Sequence, residues 1–190
     1  MVDLKEIARY MRMGRTIPEG ELAARVATLR EDALKVVRTS RIWRRFPIRD
    51  GAIASGGLRL DIRGTLAHHL AGCRSAYLVC GTIGAGFDAL QRRMSISSGV
   101  DALITQAIGA ALIEKWMDET DGEVAKTLEP GEAILSRYSP GYGDFPLEAQ
   151  RTILSLLDAP RKVGVSLTDT LLMVPSKSVS AIIGVKDLRT

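Results

Sequence analysis

The sequence predicts an α+β domain in which an antiparallel or mixed β-sheet is flanked by helices. Segments of two-residue and of 3.6-residue apolar periodicity both occur, but they do not alternate as regular βα units. The C-terminal part, from about residue 163, reads as short strands separated by breaks, the pattern of an antiparallel meander. The 190 residues, 46% hydrophobic and 25% charged, suffice for one sizeable core. No linker, repeat or low-complexity tract divides them, so residues 1–190 are expected to form a single domain.

Taken in order, residues 3–13 predict a short helix with Leu4, Ile7, Ala8 and Met11 on one face, broken by Gly14 to Pro18. Residues 19–38 predict a longer helix whose stripe is Leu22, Val26, Leu29, Ala33 and Val36-Val37. Arg41 to Asp50 reads as extended, with Trp43, Phe46 and Ile48 roughly alternating. Turn signals follow at Asp50-Gly51 and Gly56-Gly57. Leu58, Leu60 and Ile62 alternate with Arg59, Asp61 and Arg63, which predicts a half-buried strand, and residues 65–71 a short helix.

Ser75 to Cys80 is an apolar strand that runs through Gly81-Thr82-Ile83-Gly84-Ala85-Gly86 into a helix over 87–94. A glycine-rich strand-to-helix turn can hold an anion on its amides. This one matches neither a dinucleotide fingerprint nor a P-loop, and close strand–helix packing explains it better. The longest helix is predicted over 99–119, its stripe being Val100, Leu103, Ile104, Ala107, Ile108 and Ala111. Glu114 falls inside that stripe and needs a partner, either a structural Arg or the ammonium of a ligand. Gly109 and Ala110 leave room for close approach on the same helix. Residues 121–136 read as a charged loop. Pro146 and Glu148 suit the first turn of a helix to about Leu157. Strands are expected at Val163–Leu167, Leu171–Val174 and Val179–Val185.

The segment with the most chemistry is Arg137-Tyr138-Ser139-Pro140-Gly141-Tyr142-Gly143-Asp144-Phe145-Pro146. Pro140 fixes its own φ and pushes Ser139 toward an extended conformation. Pro-Gly signals a turn, and Gly141 and Gly143 can adopt positive φ. Arg137 offers a planar fork suited to a carboxylate. A stiff bend with one Arg and two Tyr can recognise a small zwitterion. It can equally be a structural loop holding a salt-bridged Arg.

Arg137-x-x-Pro140-Gly141-Tyr142 resembles the S-adenosylmethionine-binding motif of the activation domain of cobalamin-dependent methionine synthase. The continuation Gly143-Asp144-Phe145-Pro146-Leu147-Glu148-Ala149-Gln150 is similar to the free-standing form of that domain. Tyr77-Leu78-Val79-Cys80-Gly81-Thr82-Ile83-Gly84 and Met173-Val174-Pro175-Ser176-Lys177-Ser178-Val179-Ser180 agree in order. On this resemblance, residues 1–72 are a helical, basic N-terminal part and 73–190 the core shared with the fused domain.

The resemblance implies an S-adenosylmethionine-binding accessory subunit for reductive methylation of cob(II)alamin on a separate methionine synthase. That synthase would supply the cobalamin, and a flavodoxin- or ferredoxin-like protein the electron. It implies Arg137 as the carboxylate partner, the bend at Ser139, Pro140, Gly141 and Tyr142 as the rest of the site, and an acid on the long helix. An ungapped match places that acid near Gly109-Ala110, one turn before Glu114. No general base or nucleophile is evident, and none is needed for a methyl group that is already activated. An S-adenosylmethionine-sensing regulator and a stand-alone methyltransferase are the alternatives, the latter without the usual Rossmann signals.

Composition excludes other classes. No apolar run reaches the roughly 18 residues of a membrane span, and Met1-Val2-Asp3-Leu4-Lys5-Glu6 lacks a signal-peptide core; the expectation is a cytoplasmic protein. Cys73 and Cys80 have no metal or redox spacing, and adjacent His68 and His69 cannot share a helix face, so no metal site is expected. Residues 1–45 hold eleven Lys/Arg against six Asp/Glu, which suits an acidic partner or a solvated helix surface. Only Trp43 interrupts the Arg41–Arg45 run as a stacking candidate, and no nucleic-acid motif accompanies it.

Overall fold

A four-stranded antiparallel sheet in the order β1-β4-β8-β5 organises the computed structural model, which describes residues 2–14 and 16–189. Its strands are β1 (Ser40–Pro47), β4 (Cys73–Thr82), β5 (Glu132–Ile134) and β8 (Ser178–Asp187). The central pair, β4 and β8, is apolar at consecutive positions: Ala76 to Cys80 and Ala181 to Ile183 are buried. Such runs suit strands covered on both faces, and both faces are covered. Tyr77, Val79, Ala181 and Ile183 look toward one helical layer. Ala76, Leu78, Cys80 and Ile182 look toward a second core on the other side.

The first layer holds α1 (Leu4–Tyr10), α2 (Gly20–Val36), α4 (Ala85–Ser97) and α5 (Gly99–Ala125). Asp3 caps α1 by accepting from the Glu6 amide at 2.7 Å. The break expected at Gly14–Pro18 includes Arg15, which lies outside the described residues. The α2 stripe is as expected, with Val26, Leu29 and Ala33 buried. The opposite layer holds the hairpin of β2 (Ala52–Ser55) and β3 (Leu58–Asp61), then α3 (Gly64–His69), α6 (Ala149–Leu157) and α7 (Ala159–Val163). Among the described residues, no helix is long and apolar enough to cross a membrane.

Four expectations are corrected. The long helix does not stop at 119 but continues to Ala125, because Thr120 and Val124 are fully buried and keep its inner face in register. Its stripe is also shifted along the helix: Ile104, Ala107, Ile108 and Ala111 are buried as expected, but Val100 and Leu103 are 61% and 58% exposed, whereas Ile113 and Met117 are buried. The C-terminal strands do not form one meander. β6 (Ser166–Leu167) and β7 (Met173–Val174) make a separate two-stranded ribbon, and β8 inserts between β4 and β5. Val163, expected to open a strand, instead closes a helix over Ala159–Val163 that has Pro160 in its first turn. The apolar run of β8 on both faces explains its central place; the shorter, half-polar β6 and β7 have nothing to bury twice.

The glycine-rich turn at 81–86 packs closely, as expected. A Cβ on Gly84, whose φ is +88°, would lie 2.6 Å from the Arg38 carbonyl oxygen, and one on Gly86 2.5 Å from that of Val36. The room expected at Gly109 is filled, since a Cβ there would meet the Phe87 ring at 2.5 Å and the Lys177 stem at 2.8 Å. Burial pushes the Cys80 thiol up to about 12. The Arg41–Arg45 run is occupied internally. The Arg41 guanidinium lies 4.3 Å from the Trp116 ring centre and 5.5 Å from that of Trp43, and Arg45 pairs with Glu132.

Candidate functional site

The chain leaves β5 along the open edge of β8, where Leu135 donates to Gly184 and Tyr138 exchanges hydrogen bonds with Ile182 at 2.9 Å. It then turns away at Ser139-Pro140. Pro140 has no N–H and cannot continue a ladder. Beyond this point no strand covers β8 residues 178–180 on that side among the described residues. The bend is set by Gly141, at φ +93°, whose amide donates to Phe145 at 2.8 Å, and by Gly143 at φ +55°. It is pinned to α3, because Asp144 accepts from the Thr65 amide at 2.8 Å and from the Thr65 hydroxyl. The Tyr138 hydroxyl donates to that same Thr65 oxygen at 2.8 Å. His69 lies face-near Tyr138, with ring centres 4.9 Å apart, and bonds the Ser136 carbonyl at 2.9 Å.

A cavity of about 590 Å³ opens at this departure point, within the roughly 300–1,000 Å³ usual for small-molecule sites. Five of the six residues expected at a ligand site line it: Glu114, Arg137, Ser139, Pro140 and Tyr142. Gly141 shapes the bend and is not on the wall. Tyr142 is 64% exposed at the mouth.

Arg137 carries the charge. Its side chain is 15% exposed, and three carboxylates of α5 hold it: Asp121 at 2.5 Å, Asp118 at 2.9 Å and Glu114 at 3.1 Å. Their spacing of four and then three residues puts all three on one helix face. Arg137 is thus salt-bridged internally, as the structural reading of the motif expects, and it lines the cavity at the same time. Glu114 is half-exposed at the cavity rim rather than buried in the stripe. Its partner is Arg137, and it also faces α1, where it adds to the burial that raises the Tyr10 hydroxyl.

Three acids around one guanidinium leave an excess of negative charge. Burial pushes the Asp121 carboxyl up from 3.8 to about 6, and the attraction of Arg137 does not cancel it while Asp118 and Glu114 add to it. The folded protein therefore holds the Asp121 proton more tightly than the unfolded chain. This contribution to stability is complete below about pH 4 and is lost as pH rises through about 6. Denaturant unfolding at pH 4 to 7 should show wild type losing stability relative to Asp121→Asn over that window. A constant difference between the two proteins would contradict this account of the cluster.

Sequence reasoning missed Asp118, Asp121, Gln150 and Ser180. Ending the helix at 119 hid Asp121; Asp118 lay within the predicted helix, one turn after Glu114, and its spacing was readable. Gln150 and Ser180 had no signal of their own. Both are nearly fully buried, at 5% and 2% exposure, and both line the cavity. Gln150 Oε1, Ser180 Oγ and Asp121 Oδ1 have no hydrogen-bond partner. A buried polar atom without a partner costs about 1–3 kcal/mol, and these three are enclosed behind the cavity lining rather than open to it.

Residues 116–187 match the family described as vitamin B12 dependent methionine synthase, activation domain. That span contains Asp118, Asp121, Arg137 to Tyr142, Gln150 and Ser178 to Ser180, but not Glu114. Among solved structures, the MetH reactivation domain bound to AdoHcy is similar, with a TM-score of 0.65 at 16% identity. The match covers 100% of this chain and 75% of that one. No curated protein sequence matches the chain. The family resemblance and the α+β fold read from the sequence are both borne out.

Proposed function

We propose that this chain, an activation-domain relative by its match over residues 116–187 and by its fold, binds S-adenosylmethionine in the cavity beside Arg137. Its role is the reductive methylation of cob(II)alamin on a separate cobalamin-dependent methionine synthase. The observation that carries the reading is the pairing of Arg137 with excess acid on one cavity wall. A zwitterionic sulfonium needs a cation for its carboxylate and anions for its ammonium and sulfonium.

S-adenosylmethionine supplies an activated methyl group, and the reduced cobalt of the partner is its acceptor. The residues of this chain bind and orient. Arg137 takes the carboxylate through charge-assisted hydrogen bonds, and Glu114 and Asp118 exchange a bond to Arg137 for one to the ammonium. Tyr142 at the mouth covers the ligand and offers a π-face to the sulfonium. Confinement of this kind lowers the barrier by positioning and by excluding water. The separate-subunit arrangement is supported by the Gly143-to-Gln150 continuation and by the exposed Tyr142, Leu172 and Val174. A flavodoxin- or ferredoxin-like protein is the proposed electron donor.

The test is reactivation of a cob(II)alamin synthase that lacks an activation domain, with reductant and S-adenosylmethionine. Methylcobalamin should form only when this protein is added. Equal reactivation without it would end the proposal. Methyl transfer to a cobalt-free acceptor would favour a stand-alone methyltransferase.

A further inference from the structure

The acid cluster of the cavity carries more charge than its arginine can balance. Glu114, Asp118 and Asp121 on α5 face one guanidinium, that of Arg137, and all four residues line the cavity. With every carboxylate ionised, three negative charges stand against one positive. Glu114 and Asp118 lie toward solvent, whereas Asp121 is the most enclosed, its side chain 27% exposed and its Oδ2 held by Arg137. Asp121 has no part in the binding scheme above, in which Glu114 and Asp118 turn to the ligand's ammonium. Besides Arg137, the charges that bear most on it are those of Asp118 and Glu114, both negative. On the neighbouring helix α1, the Tyr10 hydroxyl lies close enough to feel Glu114 and Asp118, and Arg9 is paired with Glu6.

We infer that Asp121 is a specificity-determining residue that favours the charged methyl donor over its spent product. This rests on the binding reading proposed above. Loss of the methyl group turns the sulfonium into a neutral thioether and leaves the amino-acid and nucleoside parts unchanged. The donor therefore brings one net positive charge into the cavity, and the product brings none. A charge needs no contact to be felt: in part-buried surroundings it acts over several ångströms, and salt screens it chiefly beyond about 10 Å at 0.1 M. Burial and the two acidic neighbours hold the Asp121 proton up to about pH 6 in the ligand-free protein. The sulfonium takes the place of that proton. Donor bound beside ionised Asp121 leaves the cluster at the same net charge as the empty cavity with Asp121 protonated. The product has no charge to make this exchange. Below about pH 6, donor binding must therefore release a proton to solvent, and the donor's advantage over the product grows as pH rises through about 6.

The test titrates S-adenosylmethionine and S-adenosylhomocysteine into wild type and Asp121→Asn between pH 5 and 7. Calorimetry in two buffers of different ionisation enthalpy counts the protons released. Near pH 6, wild type should release up to about half a proton per donor bound and close to none per product. Its preference for the donor should rise about fivefold from pH 5 to 7, the scale of one unit charge acting across part-buried protein. Asp121→Asn should release no proton and show a preference independent of pH, about tenfold below that of wild type at pH 7. His69, which bonds the Ser136 carbonyl beside Arg137, is unchanged in the variant, so any effect of that ring cancels in the comparison. The proton count on wild type needs no variant and decides the matter if Asp121→Asn misfolds. Equal proton release with both ligands, a pH-independent preference in wild type, or a folded variant that keeps the full pH dependence overturns the inference and leaves the binding reading intact. Absence of binding by either ligand removes both.

Discussion

Arg137→Ala should weaken S-adenosylmethionine binding by about 2–4 kcal/mol, roughly 30- to 1,000-fold in Kd. The guanidinium is 85% withdrawn from solvent and lines the cavity, so its bond to a ligand carboxylate is little screened. Removing it has a second effect of the same sign for that carboxylate. Glu114, Asp118 and Asp121 lose their shared cation and repel it. They attract the ligand's ammonium more strongly in exchange, but Asp121, already raised to about 6 with Arg137 present, takes up a proton more readily without it and offsets part of that gain. The loss of the carboxylate contact therefore dominates. Arg137→Lys should fall between the two, because a point charge replaces a fork. Titration calorimetry decides the matter, and a folded Arg137→Ala protein with unchanged affinity would sink the assignment.

Much of this site was legible because local chemistry fixed it. Pro140-Gly141 and Gly143 announce a bend whatever surrounds them, and the bend is found there. Arg137 needed a partner, and Glu114 needed one too; the sequence stated both needs but not that each met the other. That meeting depends on where β5 hands the chain to the edge of β8, a long-range fact that periodicity does not carry. The helix end illustrates the same limit. Asp121 and Gly122 look like loop residues in isolation, and only the burial of Thr120 and Val124 beneath them keeps the backbone helical. Gln150 and Ser180 are the extreme case, because a polar residue buried without a partner breaks the ordinary rule and leaves no pattern to read. The exposed Val100 and Leu103 show the converse error, an apolar stripe taken as core where the neighbouring helices do not reach.

Gly64→Ala is the second substitution with a large expected effect. Gly64 sits at φ +55°, and left-handed backbone costs an L-residue about 1–2 kcal/mol. At roughly 2–4 °C per kcal/mol for a domain of this size, that strain alone lowers Tm by about 2–8 °C. The new methyl group would also overlap the Asp144 carboxylate, whose Cγ and Oδ1 lie 2.5 and 2.6 Å from the Cβ position. Asp144 must therefore leave the Thr65 amide and hydroxyl, the two bonds that hold its carboxyl below the ordinary value. Thr65 also accepts the Tyr138 hydroxyl, and Tyr138 is the residue that ties the segment after Arg137 to Ile182. Releasing Asp144 thus loosens the bend and the neighbouring Arg137 together, with no cavity side chain substituted. Asp144→Asn keeps the acceptor shape and should lose less. Calorimetric melting and ligand titration on the same sample separate the two consequences. If Tm falls while the folded protein binds S-adenosylmethionine as before, the clamp serves stability alone and the cavity is shaped by β8 and α5 without it.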